Sequence, residues 1–348
     1  MRSLALELTI RRVDDRDPFT LLRLPDFLKR VALIGLAFRR LMSFRRRKPC
    51  MLCCIENGIG MNLANVIMNI ANQIAKIRPA HPAVGAHVTG VYLGDPVGSD
   101  LVQELRDAFA RYSVLCFPGQ DIDSDDQAAF AALFGHVDRA DADTDDPDRK
   151  QSTPGVKYIS NIRKNGKLIG SLPDGEMHFH SDGAHREAPY RATTLFAIEV
   201  PDCGGETRFA NMAAAFEALP NNLQARLDGL SARHVFNYNK TTREEMRRGD
   251  EVAHAVHPLV RTHPDTGRKS LYLSRLMTRN IVGMENDEGE DLLTMLLDHC
   301  EKPKFVYDHV WRPGDLVIWD NRSVNHARMD FPSDQRRLLR RYTISDVD

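Results

Sequence analysis

The sequence predicts a mainly β protein with flanking helices, built around a double-stranded β-helix (jelly-roll) barrel. Three observations carry that expectation. After residue 155 short strand-like runs dominate: "VKYISNI", "RATTLFAIEV", "ETRFAN", "HPLVRTH", "KSLYLS", "KFVYDHVW", "DLVIWD" and "LRRYTI". Turn signals such as "PDCGG", "DTG" and "RPGD" separate them. Helical periodicity interrupts the series as insertions at "NMAAAFEALP" and "EGEDLLTMLLDHC". Many short strands with Gly/Pro turns favour a double-sheet barrel, and the mouth of such a barrel is a natural small-molecule site.

Upstream, from about residue 84, the chain is equally regular. "AVGAHVTGVYL" alternates like a strand. "SDLVQELRDAFARY" opens on Ser-Asp and continues with apolar residues at helical spacing. "SVLCFPGQ" reads as a short buried strand ended by Pro-Gly, and "DSDDQAAFAALFG" as a capped helix stopped by Gly135. The acidic, poorly periodic "DRADADTDDPDRK" reads as a loop within one domain rather than as a boundary.

At 348 residues the chain can hold a sizeable core, and its net charge of −1 gives no global pull toward nucleic acid or an anionic membrane. That total hides a local imbalance: residues 1–48 carry a net +8 and the remainder about −9. Residues 1–67 are therefore read as a basic extension, and residues 68–348 as a single domain. An amphipathic membrane-surface helix, an organellar presequence and a segment upstream of the true start at Met61 or Met68 compete for the extension, and the last is favoured. The apolar run "VALIGLAF" is eight residues long, far short of the ~20 needed to span a bilayer. Six cysteines in a chain of this length make no disulfide framework, so a cytoplasmic setting is expected. Cys50, Cys53 and Cys54 resemble half of a zinc site without its partner pair and are read as unpaired thiols, while Cys116 and Cys203 are read as inert because no base stands beside them in sequence.

The stretch "EMHFHSDGAHREAP", residues 176–189, concentrates the chemistry. Side chains of a strand alternate faces, so His180 and Asp182 at i and i+2 can reach one ion. His326, in "VIWDNRSVNHA", would return to the same place if an apolar strand runs into the Asp-Asn turn and out again. Two imidazoles and one carboxylate suit a divalent transition metal and leave coordination positions open, unlike a closed structural zinc site. His178 shares parity with His180, so it is a ligand, a supporting group or part of the pocket wall. His185, His254, His257 and His263 are read as hydrogen-bonded or solvent-facing rather than as ligands.

Other motifs keep company with this one. Thr207 follows Asp182 by 25 residues in "CGGETRFANM", and Arg337 follows His326 by 11 in "DQRRLLRRYTI". With "VLCFPGQ", "FHSD", "HPLVRTHPDTGRKSLYL" and "WRPGDLVIWDNRSVNH", the order resembles the taurine dioxygenase/2,4-dichlorophenoxyacetate dioxygenase family of Fe(II)- and 2-oxoglutarate-dependent enzymes, over about residues 80–346. Phe179 stands where many members have Trp, and His178 where an apolar residue is common, departures that bear on the pocket wall.

That resemblance implies a dioxygenase that binds Fe(II), 2-oxoglutarate and O2 and hydroxylates a small organic substrate with release of succinate and carbon dioxide. It implies His180, Asp182 and His326 as metal ligands, and Arg337 with Thr207 as the grip on the far carboxylate of 2-oxoglutarate. In "RRLLRRYTI" Arg337 and Arg341 share one face and Arg336 and Arg340 the other. Two buried guanidiniums need two anions. Arg341 is thereby assigned to an acidic group of the substrate, with His178 as a further substrate-side candidate; a salt bridge from Arg341 to Asp330 or Asp346 is the competing reading. Trp311 and Trp319 are read as core or rim packing. Two other classes stay open: a zinc-dependent hydrolase using the same ligands, and a catalytically silent barrel binding a small acid. No nucleic-acid partner and no membrane span are expected, and a homo-oligomer stays open.

Overall fold

The structure is a computed structural model, and it describes residues 74–138, 156–172, 175–236, 253–284 and 287–346. The expectations for residues 1–67, for Cys50, Cys53 and Cys54, and for most of the acidic segment after Asp138 lie outside the described residues.

The chain enters through β1 (Lys76–Pro79) and β2 (Ala86–Thr89), an antiparallel pair. Helix α1 (Ser99–Tyr112) buries Leu101, Leu105, Ala108 and Phe109, one apolar stripe at helical spacing. Ser113 ends it in the left-handed region at φ 61° and returns its N–H to the Phe109 carbonyl. Strand β3 (Val114–Phe117) is buried throughout. Helix α2 (Ser124–Ala132) starts on a reciprocal capping box between Asp123 and Asp126, and it stops at Leu133, short of the expected Gly135. Strands β4 (His136–Val137) and β5 (Lys157–Ser160) follow, then the tight hairpin β6 (Arg163–Lys164) and β7 (Lys167–Leu168).

The second half supplies the rest of the barrel: β8 (Met177–His180), β9 (Ala192–Glu199), β10 (Thr207–Asn211), helices α3 (Met212–Glu217) and α4 (Asn221–Leu227), β11 (Ser231–Val235), β12 (His254–Pro258), β13 (Val260–Thr262), β14 (Lys269–Leu271), β15 (Thr278–Ile281), helix α5 (Asp287–Cys300), β16 (Val306–His309), β17 (Leu316–Asp320), β18 (Val324–Arg328) and β19 (Leu338–Ser345). An eight-stranded sheet runs β1-β2-β3-β17-β9-β19-β4, with β5 also pairing β19. A four-stranded sheet runs β16-β10-β18-β8.

Burial follows from covering both faces of each sheet. Leu115, Phe117, Phe196, Leu316, Ile318 and Tyr342 of the larger sheet pack under α1 and α2. Their alternate neighbours Val114, Cys116, Leu195, Val317, Trp319 and Leu339 point inward and meet Phe209 and Val324 of the smaller sheet. Phe179, Ala210 and Ala327, on the outer side of the smaller sheet, pack with α3 and α5. A strand covered on both sides reads as a continuous apolar run, as "LVIW" of β17 does. The expected mainly β, jelly-roll architecture is the one observed.

Candidate metal centre

The triad is assembled by strand register and a turn. Strands β8 and β18 pair so that His180 lies directly opposite His326, with ring centroids 4.1 Å apart. Asp182 is not on the strand, contrary to the alternation argument: β8 ends at His180, and Asp182 occupies the turn that follows. Gly183 makes that turn possible at φ +73°, where an added Cβ would come within 2.9 Å of the Tyr190 ring. Asp182 Oδ1 lies 3.8 Å from His180 Nε2, and Oδ2 lies 3.9 Å from His326 Nε2. The three can each aim one donor atom at a common point.

Neighbouring groups fix each donor. His180 Nδ1–H donates to the His178 carbonyl at 2.9 Å, which puts the ring's lone pair on Nε2, the nitrogen that faces Asp182 and His326. Thr193 Oγ1 donates to Asp182 Oδ2 at 2.7 Å, and Asn321 Nδ2 donates to Thr193 Oγ1 at 3.0 Å. Trp319 Nε1 donates to Asn321 Oδ1 at 3.0 Å, and its ring lies 4.6 Å from that of His326. Trp319 is thus a core residue, as expected, and also the brace of one ligand.

Electrostatics suit cation binding. Burial lowers the pKa of His180, with Asp182 opposing, and burial followed by His180 puts His326 well below the ordinary imidazole range. Both rings are therefore neutral donors. Burial acts to raise Asp182, but the Arg341 guanidinium leads the effects that outweigh it and hold the carboxyl below its ordinary value. Two neutral imidazoles and one ionised carboxylate, all at low exposure, form a donor set that fits Fe(II) and leaves room for other ligands.

The cavity beside the triad is lined by Thr207, Arg328, Arg337, Arg341, Ile159 and Leu195 among others. Arg337 is 2% exposed, and among the described residues its Nε and Nη1 meet no hydrogen-bond acceptor. Burial and the nearby Arg328 bring its pKa down to about 9. Gly205, at φ +71°, lets the backbone pass Arg337: an added Cβ would stand 3.3 Å from Nε. Thr207 Oγ1 accepts from Trp311 Nε1 at 2.9 Å, so its own O–H is free to donate into the cavity. Trp311, read from the sequence as packing alone, positions that hydroxyl.

Several expectations need correction. Arg341 shares the cavity face with Arg337, as parity predicts, but its partner is neither Asp330 nor Asp346: Nη2 lies 2.8 Å from Asp182 Oδ1. Asp346 pairs instead with Arg191 and Arg322. His178 does not share the face of His180. The register shifts between His326 and Arg328, so that two residues on β18 span three on β8. That extra residue turns Met177, not His178, toward the cavity. Arg328, which the sequence reading passed over, lies in the cavity wall; it sits two residues after His326 on the same strand face, a spacing that could have found it. It donates to the carbonyls of Leu172 and Gly175. His263 is buried against Asp320 at 2.9 Å and His257 bonds the Arg186 carbonyl, as expected of structural histidines.

Comparison with known proteins fits this geometry. The family model described as "Taurine catabolism dioxygenase TauD, TfdA family" matches residues 76–343. An alpha-ketoglutarate-dependent 2,4-dichlorophenoxyacetate dioxygenase of Cupriavidus pinatubonensis is 35% identical over 281 residues, covering 77% of this chain and 96% of that protein. The crystal structure of a taurine dioxygenase from Burkholderia xenovorans superposes with a TM-score of 0.66 at 30% identity, covering 78% of this chain and 89% of that one. The structure of AAD-2 in complex with Mn(II) and N-oxalylglycine superposes with a TM-score of 0.64 at 32% identity, covering 79% and 98%. With a match that spans the barrel from its first strand to its last, this chain belongs to the TauD/TfdA family of dioxygenases.

Proposed function

We propose that this chain is an Fe(II)- and 2-oxoglutarate-dependent dioxygenase that hydroxylates a small anionic organic substrate, a carboxylate or a sulfonate. The observation that carries the reading is the pairing of two features in one cavity: the His180/Asp182/His326 donor set, and Arg337, a buried guanidinium whose Nε and Nη1 meet no acceptor among the described residues. An uncompensated buried charge is costly, so the cavity is built for an anion beside the cation site. Relatives of this chain include a dioxygenase named for 2,4-dichlorophenoxyacetate and a structure holding Mn(II) with N-oxalylglycine.

His180, Asp182 and His326 would hold the iron, and iron with bound 2-oxoglutarate and oxygen supplies the oxidising chemistry that hydroxylates substrate and leaves succinate and carbon dioxide. The protein's own residues do the positioning. Arg337 offers a planar two-point grip to the far carboxylate of 2-oxoglutarate, and the Thr207 hydroxyl donates a second contact. The His178 carbonyl and Thr193 hydroxyl keep the first two ligands oriented. Ile159, Leu172 and Leu195 keep the wall apolar and limit water. Once a cation shares the charge of Asp182, the Arg341 guanidinium becomes available to an anionic substrate.

Among the described residues no helix is long and apolar enough to cross a membrane. The described cysteines Cys116, Cys203 and Cys300 are all free, which supports a cytoplasmic setting. The test is succinate formation from 2-oxoglutarate with Fe(II) under oxygen, across a panel of carboxylates, sulfonates and neutral analogues. Oxygen-dependent succinate, matched by a hydroxylated acid, is expected. Substrate hydrolysis with zinc, or acid binding without turnover, would overturn the reading in favour of a hydrolase or a silent binding protein.

A further inference from the structure

A second group of metal-donor side chains lies away from the triad. Cys116 of β3, His309 of β16 and Asp315, just before β17, bring one sulfur, one nitrogen and one oxygen within 4.8 Å of one another, and all three residues are buried. From sequence Cys116 has no base near it; the fold brings two candidate ligands to it from nearly two hundred residues away. His309 is 2% exposed, and among the described residues its Nε2 meets no hydrogen-bond partner; Asp315 Oδ2 is 3.4 Å away. A buried imidazole nitrogen left without a partner costs stability, and this one is aimed at a thiol and a carboxylate.

The surroundings match those of a ligating histidine. His309 Nδ1 lies 3.1 Å from the Tyr307 hydroxyl, and with Nδ1–H donating to that oxygen the Nε2 lone pair is the one that faces the thiol and the carboxylate. Asp315 Oδ2 accepts the Arg312 backbone N–H at 3.0 Å, which orients the carboxylate. Charge also balances: a thiolate, a carboxylate and a neutral imidazole around a divalent cation sum to zero, the arrangement least penalised by burial. The fourth tetrahedral position falls to water.

We propose that Cys116, His309 and Asp315 form a second metal site, selective for Zn(II), that ties the two sheets of the barrel together. Sulfur with nitrogen and a single carboxylate suits zinc better than iron, magnesium or calcium. Cys116 lies in the eight-stranded sheet and Asp315 directly precedes its strand β17, whereas His309 lies on the edge strand of the four-stranded sheet, so one ion would tie the two together. As the sulfur–zinc bond forms, the Cys116 thiol releases its proton to solvent. The staple lies two residues from Trp311, which holds Thr207, so it steadies that end of the cavity without touching the cation held by the triad.

The test uses the full-length chain carrying Cys50→Ser, Cys53→Ser and Cys54→Ser, so that those thiols cannot contribute. Cobalt(II) replaces zinc as a spectroscopic probe. The triad has no sulfur, so a near-ultraviolet sulfur-to-cobalt charge-transfer band must come from a cysteine outside it. The expected result is that band, a second equivalent of retained cobalt, and loss of both in Cys116→Val and in His309→Gln. With the triad first saturated with Mn(II), zinc should also raise the melting temperature of the parent chain and not of either variant. Absence of the band in the parent chain, a result that needs no variant to fold, would overturn the proposal. So would its survival in Cys116→Val, which would assign the sulfur to Cys203 or Cys300.

Discussion

Arg341 Nη2 lies 2.8 Å from Asp182 Oδ1, so a cavity guanidinium pairs with the carboxylate of the candidate metal centre. Asp182 is 1% exposed, and removing one partner of a buried pair leaves the other uncompensated. Arg341→Gln should therefore destabilise the metal-free protein by about 3–5 kcal/mol. Manganese(II) or Fe(II) should recover much of that loss, because the ion takes over the charge of Asp182. Denaturant unfolding with and without metal checks this; an identical loss in both conditions would show that cation and arginine do not compete for Asp182.

Removing ligands should separate the metal centre from its backbone support. His180→Ala and His326→Ala are expected to abolish succinate formation while the far-ultraviolet spectrum is kept. His178→Ala should retain metal, since His178 contributes its carbonyl to His180 and alanine keeps that group. Metal content by mass spectrometry decides, and iron lost from His178→Ala but held by His180→Ala would reverse the assignment.

The support for Asp182 should be measurable as well. Thr193→Val deletes the 2.7 Å donor to Oδ2 and leaves Asn321 without that acceptor. Loss of such an outer contact typically weakens metal affinity by about 10- to 100-fold. Titration of Mn(II) into the variant and the parent reads the change directly.

The two cavity arginines should respond differently to neutralisation. Losing a buried, charge-assisted contact costs ~2–5 kcal/mol, or roughly 30-fold to several thousandfold in affinity. Arg337→Gln should raise the 2-oxoglutarate requirement by that factor, because the Thr207 hydroxyl alone cannot neutralise a carboxylate. Arg341→Gln should change it only a few fold while weakening the organic acid and uncoupling 2-oxoglutarate consumption from product. Succinate and hydroxylated product are followed separately; if Arg341→Gln weakens 2-oxoglutarate alone, the substrate is not an anion held at that residue.

Acidification should destabilise the fold through a histidine outside both candidate metal sites. Burial, then His257, Arg261 and His185, bring the pKa of His234 down to about 3. The unfolded chain takes up a proton near 6.5 that the folded chain refuses, so stability is full above that pH and falls as pH drops toward 3. Between pH 6.5 and 5 this group should remove about 2 kcal/mol. His234→Gln, which can still bond Thr278, should flatten the profile by about one proton. An unchanged slope in pH-dependent unfolding would show that His234 is accessible to protons in the fold.

The sequence by itself determined the elements whose signal is local. Helix α1 occupies the very residues its apolar spacing marks out, α2 begins at the Asp123 box, and β3, β9, β10, β17 and β19 appear as their apolar runs predict. It also marked His180, Asp182 and His326 as a group, and the parity of "RRLLRRYTI" placed Arg337 and Arg341 on one face, because residue type and a period of two need no knowledge of partners. Strands β11 and β15 were not legible, since "SARHV" and "TRNI" have short, mixed patterns that become strands only by pairing with each other and with β12.

Only the tertiary structure decided the details that depend on register and turns. The bulge in β8 exchanged His178 for Met177 in the cavity wall, and the turn at Gly183, rather than strand alternation, aimed Asp182. The pairing of Arg341 with Asp182, the placement of Arg328, and the meeting of Cys116 with His309 and Asp315 join residues far apart in the chain. Periodicity fixes which way a side chain faces along its own strand; which group it faces is set by how strands pair across the barrel, and a single inserted residue changes that answer.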